Sequence, residues 1–477
     1  MNHKLWYYAA LVMALALRLY GLGDESLWLD ENHTAHLLKQ GWSGITSDAT
    51  QGPLFLLLEK IITTITGMSE VGMRVLSVAC GVASIAMLYR LAVLLFSPTA
   101  ALWATWLATV NPVLIHISQD ARPYALMIFL TITSIYYAIH LAHENSVWPK
   151  AAFILSTTGV LYTHAYGVFI LPLIIMIWWI ESSANNISWR TYILPSSITI
   201  ALFIPQLITF AERFLTKTSG GSIAIWIATP TVWHLLATPY LYFNYAPLVY
   251  TLIALLIVAA LSIFRNKVKL PLLGFSASLM LMIAFILLPW LVSVALTPIF
   301  TFRYTSPAII GCLLILGWSL AELPKLIRSL FAFTILGLTL VPIYSYHTKL
   351  DKEPWREVAQ KVSVETKTGA MILADRGYIR ECLENYLREQ TKPNLQTVST
   401  GLFVRPESYY ASHIIRVSAY SKEVQASMDS ITADLHGGWT LTDSTVFPDP
   451  SDVNPHTFSW VAPITVTNWI AKEVAVE

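Results

Sequence analysis

Long apolar runs separated by short polar turns fill the chain from Leu5 to Tyr346. A helix of about 18 or more apolar residues matches the thickness of a hydrocarbon core. Residues 5–20, 71–96, 99–117, 121–142, 150–162, 165–180, 189–210, 247–264, 270–297, 304–321 and 325–346 read as helical spans, about eleven in all. The stretch 150–180 is too long for one span and is divided into two shorter helices. A longer and more polar stretch, 22–70, follows the first run and reads as an outer loop. From 348 onward the apolar runs stop and charge density rises. Met371–Ala374, 396–399 and 414–419 there read as strands and 378–389 as a helix, a small α/β unit.

The predicted fold class is thus mainly α: a polytopic transmembrane helical bundle over residues 1–347, with a C-terminal α/β domain over 348–477. Composition strengthens the membrane reading. Of 477 residues, 55% are hydrophobic and 12% charged, against about 25% charged in soluble proteins. Mean hydropathy is +0.57. The 17 tryptophans and 22 tyrosines suit bilayer interfaces, with Trp178 and Trp179 expected in such a belt. A net charge of +1 gives no electrostatic case for nucleic acid. The three cysteines form neither a disulfide framework nor a paired metal motif. The basic, apolar N-terminus lacks a small-residue cleavage site, and Arg18 interrupts its end, so it reads as an uncleaved first span.

Basic residues in short loops orient the bundle. Lys150, Arg190, the Arg265, Lys267 and Lys269 cluster, and Lys325 with Arg328 fall on one side, read as cytoplasmic. The opposite face then collects the unusual polar residues. These are Asp30 and Glu31 after Trp28; Asp120, Arg122 and Tyr124 in one tight turn; His164 in another; Arg303 with Tyr304; and Arg74. Carboxylates there could take a proton from an acceptor hydroxyl or amine. Guanidiniums match phosphate oxygens bidentately and neutralise a phosphate leaving group. Each residue also has a plainer reading. Asp30 and Glu31 could be solvated, Arg122 and Arg303 could be interfacial anchors, and His164 could be a structural hydrogen-bonder. The charge run 351–357, including Trp355, reads as a solvated domain start, and the apolar run 223–236 as an interfacial lid helix.

With these residues in place the chain resembles the GT-C superfamily of membrane glycosyltransferases, on the branch of protein O-mannosyltransferases and lipid A aminoarabinose transferases. The likeness rests on Asp30 and Glu31 after Leu27 and Trp28, on the stretch from Gln119 to Leu126, on Arg303 with Tyr304, and on the run from Arg74 to Ser77. It implies an inverting transferase using a polyprenyl-phosphate sugar donor and a lipid, glycan or protein acceptor. Asp30 would be base or acceptor aligner, with Glu31 beside it and Asp120 as the second-loop acid. Arg122 and Arg303 would face the carrier phosphate with Tyr304 and Arg74, while Tyr124 and His164 would contact substrate. The resemblance places active site and C-terminal domain on the extracytoplasmic face, in a bacterial inner membrane. Where relatives carry His or Lys in the first loop, this chain has Gln51, which supplies neither positive charge nor metal ligand. No cofactor is implied with certainty, and a divalent metal is left open but not indicated. A transporter or flippase of lipid-linked sugars would need charges along the span interiors. A lipid-carrier-dependent ligase would place its centre in a large central loop, where only Glu212, Arg213 and Lys217 are charged.

Overall fold

The computed structural model describes residues 2–47, 51–144, 146–218, 227–365, 371–374, 377–387, 395–397, 413–419, 439–448 and 464–471. The chain opens with α1 (His3–Leu19), then α2 (Leu29–Lys39), α3 (Trp42–Ser47) and α4 (Pro53–Thr66). The apolar series is α5 (Glu70–Leu95), α6 (Pro98–Val110), α7 (Pro112–Ser118), α8 (Tyr124–His143), α9 (Val147–Thr163), α10 (Ile170–Asn185) and α11 (Arg190–Thr218). It continues with α12 (Val232–Leu241), α13 (Ala246–Asn266), α14 (Leu272–Met282), α15 (Leu288–Ala295), α16 (Ala308–Glu322) and α17 (Lys325–Thr348). The last part holds α18 (Trp355–Glu365), β1 (Met371–Ala374), α19 (Gly377–Tyr386), β2 (Leu395–Thr397), β3 (His413–Ala419), β4 (Trp439–Phe447) and β5 (Ile464–Ala471).

The chain divides into two compact units. The first comprises Met1–Tyr20, Ile45–Gly67 and Gly72–Tyr344. Among its described helices, α5, α8, α10 with its preceding turn, α11, α13, α14–α15 and α17 are long and apolar enough to cross a membrane, seven in all. The pair α6 and α7, bent by 63°, would make eight. Each of the eleven apolar segments falls on helix, but α1, α9 and α16 have only 17, 17 and 15 residues. The count by length is therefore lower than the sequence suggests.

Local chemistry sets the breaks. Asn111 caps α7 by accepting from the Leu114 N–H at 2.9 Å, and Pro112 takes the first helical position, where its missing N–H costs nothing to α7. The same proline ends α6. Ser97 and Pro98 repeat the arrangement at the start of α6. Small residues (Ala100, Ala104 and Gly317) let the backbones of α6 and α16 approach closely. Trp178 departs from the expected belt: it is buried, donates to the Ala138 carbonyl at 3.0 Å and stacks on Tyr192, whereas Trp179 is exposed. Of the expected lid run, 219–226 lie outside the described residues, and the helix α12 begins only at Val232.

The second unit comprises Gly21–Gly44, Met68–Val71 and Ser345–Glu477. The start of the first outer loop thus packs with the C-terminal segment. Its sheet has the order β2-β1-β3-β5-β4, with β2, β1 and β3 parallel and β3, β5 and β4 antiparallel. The strands β4 and β5 had no counterpart in the sequence reading. Helices α18 and α19 cover a core of Trp355, Val358, Val362, Ile372, Leu383, Ile415, Val417 and Val466, with Leu29 of α2 packed against it. The run 351–357 is a correction to the expected solvated start: Asp351, Lys352, Glu353 and Trp355 are all buried.

Trp355 is the largest fully buried side chain of this unit. Trp355→Ala should destabilise it by about 3–5 kcal/mol, seen as faster proteolysis within 348–477 while the apolar unit stays protected.

Candidate active site

In the helical unit, residues from three parts of the chain meet at Tyr304. Its ring centroid lies 4.6 Å from His164, 5.2 Å from Tyr166 and 6.0 Å from Tyr124. Tyr124 opens α8, His164 ends α9, and Tyr304 sits in a short 3-10 turn, Phe302–Thr305. Three of the residues expected at the site, Tyr124, His164 and Tyr304, are therefore brought together. Arg122 lies two residues before Tyr124 and Arg303 directly before Tyr304, so the two arginine-bearing turns converge on one aromatic cluster.

The first of these turns is tight: the Arg122 N–H donates to the Asp120 carbonyl at 2.7 Å. Both side chains are buried, as is Arg74. Ser77, one turn along α5 from Arg74, donates to the Arg122 carbonyl at 3.5 Å. A buried charge needs partners, so these three side chains belong to the interior of the bundle and not to its surface.

The second turn is held at both ends. Upstream, the Tyr166 hydroxyl donates to the Ile299 carbonyl at 2.8 Å, and Ser293 Oγ accepts from the N–H groups of Ile299 and Phe300. Downstream, the buried Tyr242 hydroxyl bonds Thr305 at 2.8 Å, and its ring stacks on Phe302. Asn111 Nδ2 in turn donates to the Tyr242 carbonyl at 3.0 Å. Tyr166, Tyr242 and Ser293 were missed in the sequence. Buried aromatics and hydroxyls in apolar runs look like ordinary core there, and only Tyr166 stood near a residue singled out.

Gln51 is buried and forms an isolated backbone bridge with His164, beside a Gly52 N–H to Thr163 carbonyl bond of 3.0 Å. A Cβ on Gly52 would lie 1.9 Å from the Tyr162 carbonyl oxygen. Only glycine allows the first loop to lie this close to the end of α9. Glu59, a fully buried carboxylate on α4, also lies in this unit. Its position inside an apolar helix gave little warning in the sequence.

In the second unit, the acidic pair of α2 divides. Glu31 is fully buried. One oxygen accepts from the Trp28 N–H at 3.2 Å, closing the helix start, and the other pairs with the buried Lys352 at 3.0 Å. Asp30, one residue earlier, is only partly buried. Around them, the Leu29 N–H donates to Glu353 at 2.8 Å and Asn385 donates to Asn32 at 2.7 Å. The Tyr386 hydroxyl accepts from the Leu27 N–H at 2.7 Å and donates to Glu70 at 3.1 Å. Burial pushes the Tyr386 pKa up, so it remains a donor to Glu70 throughout the ordinary range. Among the described residues no group of three or more His, Cys, Asp or Glu side chains is placed to share a metal ion.

Comparison with known proteins agrees with this architecture. Residues 50–209 match the family model described as dolichyl-phosphate-mannose-protein mannosyltransferase. The fold matches ArnT from Cupriavidus metallidurans bound to undecaprenyl phosphate, with TM-score 0.60 at 10% identity over 99% of this chain and 98% of that one. It also matches the oligosaccharyltransferase AglB from Archaeoglobus fulgidus, in complex with an inhibitory peptide and a dolichol-phosphate, with TM-score 0.54 at 12% identity over 99% and 74% of the two chains. No curated protein matches at the level of sequence. The chain carries the GT-C fold that these two solved structures share. Its sequence is similar to the mannosyltransferase family over the matched segment.

The Glu31–Lys352 pair supplies a test. Lys352→Met leaves a buried carboxylate without its cation and should cost about 3–5 kcal/mol. Adding Glu31→Gln to Lys352→Met should recover most of that loss. A thermal-unfolding cycle on the four proteins reads the coupling, and equal melting of the single and double variants would argue against it.

Proposed function

We propose that this chain is an inverting glycosyltransferase that moves a sugar from a polyprenyl-phosphate donor to a lipid, glycan or protein acceptor. The convergence of the Arg122 and Arg303 turns on the Tyr124–His164–Tyr304 cluster carries the reading. The family match over 50–209 supports it, since that segment contains Arg74, Asp120, Arg122, Tyr124 and His164. The bound undecaprenyl phosphate and dolichol-phosphate of the two structural relatives support a lipid-phosphate donor.

In this mechanism Arg122 and Arg303 hold the donor phosphate, with Arg74 adding positive charge and Tyr304 and His164 shaping the sugar side. An acceptor oxygen or nitrogen attacks the anomeric carbon, and the bond from that carbon to the phosphate oxygen breaks. The electron pair leaves on the lipid phosphate, where two guanidiniums offset the developing charge. The acceptor's proton passes to a carboxylate, for which the resemblance names Asp30. Glu31, engaged by Trp28 and Lys352, is assigned to holding α2 in shape rather than to proton transfer. Asp120 holds the Arg122 turn and lends a second carboxylate. The site and the C-terminal domain are assigned to the extracytoplasmic side on the distribution of basic loops, and the membrane to a bacterial inner membrane on the resemblance alone.

Asp30→Asn should reduce turnover by about 10²–10⁴-fold with donor binding retained. Full activity in that variant would remove the base assignment. Arg303→Ala should weaken donor binding and raise KM, read with the purified enzyme in nanodiscs. Deleting the protein in its host and comparing the masses of surface glycans, lipids and glycoproteins would name sugar and acceptor together. An unaltered glycan profile would count against the transferase reading.

A further inference from the structure

Arg18 is a buried cation at the end of α1 that the mechanism above leaves without a role. Its partners are all neutral oxygens. Nε donates to Ser118 Oγ at 3.0 Å, Nη1 to the Ala14 and Thr109 carbonyls at 3.2 and 3.3 Å, and Nη2 to the Ala108 carbonyl at 3.4 Å. Two of these acceptors have a common origin. Ala108 and Thr109 lie in the last turn of α6, whose carbonyls have no helical donor. The N–H that would serve Ala108 belongs to position 112, which is proline. Arg18 supplies the missing donors. Its charge faces the C-terminal ends of α1 and α6, where helix dipoles are negative, so it is stabilised without a carboxylate.

The same guanidinium grips the far side of the break. Ser118, the last residue of α7, accepts from Nε while donating to the Leu114 carbonyl at 2.6 Å. The next residue, Gln119, donates through Nε2 to the carbonyls of Arg18 and Tyr20 at 3.0 and 2.8 Å. Asp120 and Arg122 follow directly. A Cβ on Gly81 would lie 2.1 Å from Ser118 Oγ and 3.2 Å from Arg18 Nε, so α5 is cut away to admit the contact. From the break, Asn111 reaches Tyr242, and Tyr242 reaches Thr305 beside Arg303 and Tyr304.

We infer that Arg18 is the positioning residue of the donor-phosphate site. It fixes the α6–α7 break, and through it the Arg122 turn directly and the Arg303 turn by way of Asn111 and Tyr242. The inference rests on the proposed phosphate role of Arg122, but the lock itself is testable without it.

Three variants separate the roles: Arg18→Met, which keeps the stem and removes the donors; Arg18→Lys, which keeps the charge and loses the fork; and the milder Ser118→Ala. The first readout is hydrogen exchange of the intact protein in nanodiscs. Arg18→Met should lower protection of peptides across 111–124, with Arg18→Lys and Ser118→Ala intermediate, and leave α13 and α17 unchanged. Unaltered protection at 111–124, or an equal loss over the whole bundle, overturns the lock. The second readout is binding of undecaprenyl phosphate. Arg18→Met should weaken it about 10-fold in the wild-type background and by less than about 2-fold when Arg122 is already alanine, because coupled residues are not additive. Equal losses in both backgrounds overturn positioning through Arg122. If the wild-type chain does not bind undecaprenyl phosphate, the donor reading fails while the exchange result still decides the lock.

Discussion

Inside an apolar bundle, no water repairs an unpaired backbone group, so every break in a helix must be satisfied by the protein itself. The break between α6 and α7 is where this constraint shapes the molecule. Pro112 ends one helix and starts the next with a 63° bend. Arg18 meets the carbonyls that this exposes, and Asn111 both caps α7 and holds Tyr242. The polar turn from Gln119 to Arg122 can be rigid within a hydrophobic unit because its two flanks are fixed in this way. The Arg303 turn has the same kind of support from Tyr166, Ser293 and Tyr242.

The second unit solves a comparable problem with charges. The segment carrying Asp30 and Glu31 lies against α18, α19 and the run 351–357, and polar groups in that contact are hydrogen-bonded to one another. Glu31 takes Lys352, Leu29 takes Glu353, Asn32 takes Asn385, and Leu27 takes Tyr386. A buried ion pair of this kind adds little net stability compared with an apolar pair, but a misplaced partner is costly. Such contacts specify which surfaces meet. They also explain how two adjacent carboxylates come to differ, one closed inside a helix start and the other partly exposed.

A phosphate-bearing donor suits the chemistry of the helical unit. Under the proposed function, arginine-bearing turns that meet at an aromatic cluster in a low-dielectric surround would act strongly on developing negative charge. The rings of Tyr124, His164 and Tyr304 supply flat apolar faces and polar edges, which the proposed function assigns to the sugar. The Gln51 bridge to His164 brings the first-loop segment to this cluster through backbone contact.

The sequence alone determined the membrane class, the helical segments and the α/β character of the C-terminal part. These follow from local properties: apolar run length, charge density and motif spacing. It misjudged 351–355 as solvated, placed Trp178 at an interface and did not foresee the break within the span 99–117, where Asn111 and Pro112 divide α6 from α7. It left Arg18, Tyr242 and Glu59 unassigned. Those depend on which distant segments pack together, and a charge or hydroxyl looks the same in sequence whether water or a carbonyl satisfies it. Only the tertiary structure decided that Glu31 pairs with Lys352, more than three hundred residues away, because burial removes water as a partner and leaves the choice to packing.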